Sequence, residues 1–301
     1  MKTKDIYMKT MKFVWLKLGL GLGITALSAV LFGICMGIGA LISGDAFIIM
    51  LCIWMILTVA MYKYIMSYFG YMLKAAHIAV ITKAVADGQV PDNMVEAGKE
   101  MVKQRFATSN VYFVIDNLIS GAVKQLQSKV DAVGNIFEKV PGMEALVSFA
   151  KIFIEIALGY VDECCLGYTF LKTEDNAFKA GCDGVVIYFQ NAKKLLKNAA
   201  GTALVVILAM LVATIVPMFV LIPICGALNI HAIVGVILSI MISSVIRTAF
   251  IDSYMLVKTM KSYMEVAPST EVSVDIYGKL CKISGKFKQL FNKSQENTAV
   301  A

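Results

Sequence analysis

Apolar residues along this chain come in long unbroken blocks, and charged, helix-periodic stretches separate them. Leu18–Ile42 is apolar throughout. A three-residue turn, Ser43-Gly44-Asp45, leads to a second block from Ala46 to about Tyr68, with residue 70 as its outer limit. Ala200–Ile222 and Ala232–Val257 repeat the arrangement near the C-terminus. Each exceeds the roughly 20 residues that cross ~30 Å of hydrocarbon, so the pattern predicts two membrane hairpins. The first block is also too long for the apolar core of a signal peptide, which is about 7–15 residues, and is expected to stay as a span.

The placement of lysine and arginine predicts orientation. Lys2, Lys4, Lys9, Lys12 and Lys17 precede the first hairpin, and Lys193, Lys194 and Lys197 precede the second. Lys74, Lys258 and Lys261 follow the exits, whereas the tips Ser43–Asp45 and Pro223–His231 carry no lysine or arginine. By the positive-inside rule both termini are cytoplasmic. Tyr71 and Lys197 then share a side, so the middle of the chain crosses zero times or twice.

Two central stretches compete for that pair of crossings. One is "VYFVIDNLISGAV" (Val111–Val123), which extends to residues 106–126 and holds Asp116 and Asn117. The other is Met143–Phe170, with Glu144, Lys151, Glu155, Asp162 and Glu163. Glu144, Lys151, Glu155 and Asp162 are spaced seven, four and seven apart, which puts them on one helical face. Each ionised group at mid-bilayer costs about 2.5–3.5 kcal/mol, and an apolar residue returns only about 0.3–0.6, so this helix does not enter lipid alone. It suits either the aqueous boundary, with its charges in solvent, or a bundle interior where Lys151, Glu155, Asp162 and Asp116 line a polar path. Both readings remain open on the residues alone.

Beyond 267 the chain changes character. Ile276, Leu280, Ile283, Phe287 and Leu290 form one apolar stripe at 4-3-4-3 spacing, and the charges from Lys279 to Lys293 are five lysines. This predicts a basic amphipathic cytoplasmic tail over 268–301, either a helix on the anionic lipid of the inner leaflet, or a helix docked on the bundle or a partly disordered tail. Residues 1–267 are expected to form a single membrane domain.

Within the spans, Gly33-x-x-x-Gly37 predicts a close helix contact, internal or between subunits of a homo-oligomer. Pro217 and Pro223 are expected to kink and end the 200–222 span; a broken helix at a substrate site is the bolder alternative. Lys63 and Arg247 lie near the inner interface as snorkelling anchors, or Arg247 pairs with Asp252 in a gate.

Composition agrees with the pattern: 58% of the 301 residues are hydrophobic and 16% charged, with a mean hydropathy of +0.74. A soluble domain runs nearer 25% charged. The seven cysteines show no metal or disulfide spacing and read as reduced filler. His77 and His231 pair with no nucleophile or metal-ligand pattern, so no catalytic residue, metal or cofactor is expected, and the chain is not read as an enzyme. Nor do basic stretches interleave with aromatics, so no nucleic-acid partner is expected.

An ordered series of segments carries a resemblance. It begins with "NVYFVIDNLISGAVKQLQ" and "VDECCLGYTFLK", and continues with "DNAFKAGCDGVVIYFQNAKKLLKNAA", a two-span hairpin and "FIDSYMLVKTMKSYME". Over about residues 111–291 this resembles the C-terminal membrane half of the choline transporter-like family. The family's first span and long external loop have no counterpart here, and no ligand-binding residue carries over. The resemblance implies that the two central stretches cross. The expected fold is therefore an all-α polytopic integral membrane helix bundle with about six spans, four strong and two polar (143–170 among them), in the plasma membrane. The expected function is transport of a small organic cation or other small solute; the alternative is a non-transporting membrane scaffold or complex subunit.

Overall fold

Long apolar runs and i,i+3/i+4 patterning make every described element a helix. The computed structural model describes residues 1–42, 46–106, 109–137 and 159–296. In chain order the elements are α1 (Thr3–Lys9), α2 (Met11–Ile42), α3 (Phe47–Ile65), a π-helical segment (Met66–Gly70) and α4 (Tyr71–Ala86). Next come α5 (Met94–Phe106), α6 (Ser109–Phe137), α7 (Val161–Leu171) and α8 (Ala177–Ala227). The chain ends with α9 (Ala232–Ile246), a second π-helical segment (Arg247–Ile251), α10 (Asp252–Met264), a 3₁₀ turn (Ala267–Ser269), α11 (Val274–Ile283) and α12 (Gly285–Glu296). No strand occurs among the described residues.

Four stretches are long and apolar enough to cross a membrane: Met11–Ile42, Ile48–Ala86, Val205–Ala227 and Ala232–Ser269. In their most apolar windows only 17–33% of residues are buried. Leu41 (88% exposed), Phe219 (77%) and Ile48 (70%) show how much apolar surface faces outward. Water penalises such a surface and hydrocarbon does not, so the four helices are compatible with an integral membrane protein.

The chain divides into two compact units. The first comprises residues 1–10, 75–205 and 254–301; the second comprises residues 11–74 and 206–253.

In the second unit α2 packs on α3. Trp54, fully buried, donates its indole N–H to the Ser28 carbonyl at 2.8 Å, and the Ser28 and Thr58 hydroxyls pair at 2.8 Å. Such pairs are worth about 0.6 kcal/mol in a membrane environment, so their main effect is on register. Phe32 meets Trp54 edge-on at 5.0 Å. In the other hairpin Gly235 lets α9 close on α8: a Cβ there would lie 3.1 Å from Ile222 Cα. Gly21 likewise accepts Val245, tying α2 to α9.

The α8 helix does not end at its prolines. Pro217 and Pro223 both lie inside it, and it runs on to Ala227. The chain then turns at Asn229 (φ 55°), where the Ile230 N–H donates to the Cys225 carbonyl (2.8 Å) and the Asn229 N–H to that of Gly226 (3.1 Å). This is a Schellman cap, and the left-handed residue terminates the helix where proline did not. The helix thus continues past residue 222, where the prolines were expected to end it. Where water is scarce, breaking the helix would free several backbone groups at once, whereas each interior proline withholds only one donor. His231 then opens α9, its Nδ1 accepting from the Ile233 N–H at 3.4 Å.

The first unit is a helical domain with its own core. Ile78 and Ile81 of α4, Ile115 and Ile119 of α6, Cys165 of α7 and Met260 of α10 are all fully buried. Helices α4 and α5 approach closely because Gly98 has no side chain; a Cβ there would come within 2.7 Å of the Ala76 carbonyl oxygen. Helix α6 turns Tyr112, Ile115, Ile119 and Val123 inward and leaves Phe113 and Asn117 exposed.

Candidate functional site

The carboxylates expected to line a polar path divide between what is described and what is not. Glu155 and Lys151 lie outside the described residues, as does most of Met143–Phe170. Asp162 and Glu163 occupy the first turn of α7, where carboxylates meet the positive end of the helix dipole. Asp116 sits one turn beyond Tyr112 on α6. Asp116, Glu163 and Asp162 all act electrostatically on the buried Tyr112 phenol, so α6 and α7 bring these side chains into one neighbourhood. Tyr112 is held there by Phe106 at 4.8 Å, and Phe106 in turn meets Phe170 at 5.4 Å. Glu163 is buried to 9% exposure. No set of three or more His, Cys, Asp or Glu has metal-site geometry among the described residues.

The other expected positions are scattered. Arg247 Nε lies 3.6 Å from Asp252 Oδ1, so this pair does form, across the π-helical segment Arg247–Ile251. Beside it Lys17 donates to the Ser253 hydroxyl at 2.9 Å. Gly33 and Gly37 have open space: a Cβ at either would meet nothing within 4 Å among the described residues. Pro217 is an interior residue of α8.

Around the tail the structure holds a network that the sequence reading did not single out. Asp183 of α8, only 7% exposed, accepts a hydrogen bond from the Tyr277 hydroxyl of α11. Lys179 lies 3.3 Å from Asp183 and 3.7 Å from Asp175. Burial pushes the Tyr277 phenol well up, reinforced by Cys182 and by the bond to Asp183. Burial also acts against the Lys179 charge, but the two carboxylates outweigh it and raise the ammonium above its usual range.

Two further clips fix the tail. Gln125 Oε1 accepts from the Ser284 hydroxyl (2.7 Å) and from the Lys286 N–H (3.1 Å), while Ser284 Oγ caps α12 by accepting from the Phe287 N–H at 3.1 Å. Gln190 bridges the Glu271 carbonyl and the Ser273 N–H. The Asp175–Lys179–Asp183 spacing, two i,i+4 pairs, was the readable signal for part of this network.

The tail stripe is split by a break at Ser284 (φ −123°, ψ 114°) between α11 and α12. Leu280, Phe287 and Leu290 are buried in the first unit, whereas Ile283 stands 47% exposed. Comparison with protein-family models, with curated proteins and with solved structures finds no match to this chain.

Proposed function

We propose that this chain is a multi-pass membrane protein whose two hairpins anchor a helical domain, and that it serves as a non-transporting scaffold or complex subunit. One observation carries the reading. The four apolar cores, 18–42, 46–62, 205–227 and 232–246, contain no charged residue, and their buried polar groups bond within the hairpins. Ser239 and Ser243 return their hydroxyls to carbonyls of α9 at 2.6 Å, and Ser28, Trp54 and Thr58 satisfy one another. A permeation path through hydrocarbon needs groups that replace a solute's hydration, and these cores offer none. By the lysine distribution both termini and the helical domain are on the cytoplasmic side of the plasma membrane, with four spans.

Transport of a small organic cation, implied by the choline transporter-like resemblance, is the second reading. What favours it is the grouping of Asp116, Asp162 and Glu163 around one phenol.

Reconstitution of the full chain into sealed vesicles separates the two. The scaffold reading expects choline and tetramethylammonium flux no higher than in protein-free vesicles. Flux that disappears in Glu155→Gln or Asp162→Asn, with the protein still embedded, overturns it in favour of transport.

A further inference from the structure

The tail presents two chemistries. Its inner side is consumed: Leu280, Phe287 and Leu290 are buried. Its outer side carries Lys279, Lys282, Lys286, Lys288 and Lys293, all exposed, with no carboxylate from Lys279 to Lys293. Lys279 is neutralised locally by Asp275 at 2.6 Å, and Lys293 lies 5.8 Å from the Phe178 ring centre. Lys282 and Lys288 make no ion pair among the described residues. At the join of the two helices Ile283 is 47% exposed; it directly follows Lys282 and lies three residues before Lys286.

An exposed isoleucine on a segment whose charges are all ammonium groups gains nothing in water. At a lipid surface the same arrangement is favourable, because the apolar side chain reaches the acyl boundary while the cations meet phosphates and carboxylates. We infer that the outer side of α11 and the start of α12 dock on an anionic lipid leaflet, with Ile283 as the inserted side chain. Lys282, Lys286 and Lys288 are the headgroup contacts.

The residue types favour a lipid surface over an acidic protein. All five cations are lysine, a strongly hydrated point charge suited to a diffuse anionic surface, and none is arginine, whose planar fork reads individual carboxylates. A chain with four apolar helices also keeps a leaflet at high effective concentration, so modest attraction suffices. This inference rests on the membrane placement proposed above. It differs from stripe-down binding in that the stripe is already buried and the opposite side makes the contact.

The test uses the full chain in lipid nanodiscs, with Ile283 replaced by photo-reactive p-benzoylphenylalanine. Discs of phosphatidylcholine alone are compared with discs that also contain phosphatidylserine. The expected result is a lipid adduct at position 283, formed in the serine-containing discs. Each surface lysine is worth about fivefold in association with an anionic leaflet, so Lys282→Gln with Lys288→Gln lowers the yield by roughly tenfold or more. These two side chains carry no ion pair of the fold, so the variant keeps its melting midpoint; adding Lys286→Gln deepens the loss. An embedded chain that yields no lipid adduct overturns the inference, as do equal yields in both disc types or an adduct to a copurifying protein. A chain that never enters the discs overturns the membrane placement as well.

Discussion

Tyr277 and Asp183 are 94 residues apart in the chain, and the phenol of one donates a hydrogen bond to the carboxylate of the other. This contact joins α11 to α8 within the first unit. Asp183 is almost fully buried and also receives Lys179, so Tyr277→Phe removes one of two partners from a carboxylate that stays in place. A hydrogen bond to a charged group contributes about 1.5–3 kcal/mol. The variant is expected to open the tail more often, with tryptic cleavage at the lysines of α11 and α12 at least about tenfold faster and the rest of the chain unchanged.

The same contact gives a pH dependence. An unfolded phenol releases its proton near pH 10, and the folded Tyr277 holds its proton to higher pH because burial disfavours the phenolate. Above about pH 10 the folded state therefore binds more protons than the unfolded one, and stability falls as pH rises. Tail docking is complete below that value and weakens above it. Thermal unfolding followed from about pH 8 to 11 should show this loss, and Tyr277→Phe should flatten part of it.

Glycines that look alike in sequence are expected to respond differently to a methyl group. Gly98→Ala drives a methyl to 2.7 Å from the Ala76 carbonyl oxygen, an overpacking that costs about 1–3 kcal/mol. Gly37→Ala meets open space among the described residues and should change stability by no more than about 0.5 kcal/mol. Circular-dichroism melts of the two variants in the same detergent measure the contrast. A large loss for Gly37→Ala would mean that a second copy packs there.

Span number is open to direct chemical labelling. In a background with the native cysteines replaced, Asn229→Cys at the tip of the second hairpin is expected to react with an impermeant maleimide added to intact cells. Ser128→Cys on α6 is expected to react only after permeabilisation if the middle of the chain stays on the cytoplasmic side. Reaction at both from outside would give six spans.

The four apolar helices were legible because burial in hydrocarbon demands length and composition alone, and Leu18–Ile42 satisfies both without reference to any other segment. The polar middle was not, since a helix such as α6 has the same inward stripe whether it packs in a soluble core or in a bundle. Tyr112, Ile115 and Ile119 look alike in either place. The tail stripe misled for a local reason: 4-3-4-3 spacing presumes one unbroken helix, and the break at Ser284 splits it and sets Ile283 apart. Prolines misled at α8, where Asn229, and not Pro223, provides the stop. The Tyr277–Asp183 bond was beyond reach because nothing in the local sequence of either residue names the other. Only half of the α8 network, Asp175 with Lys179 and Asp183, was written at helical spacing.

Both hairpins carry a π-helical segment just after their second apolar core, Met66–Gly70 in one and Arg247–Ile251 in the other. A π turn holds one more residue than the α turns around it, and each added residue turns the following side chains by ~100°. Residues beyond it therefore point along directions that an uninterrupted α-helix would not give them. A single helical rod can in this way hold an all-round apolar half and then re-aim Ala75–Ala86 or Met255–Met264 toward a packed protein core. Removing one residue from either wide turn would restore an ordinary α turn and leave those inward side chains facing the core.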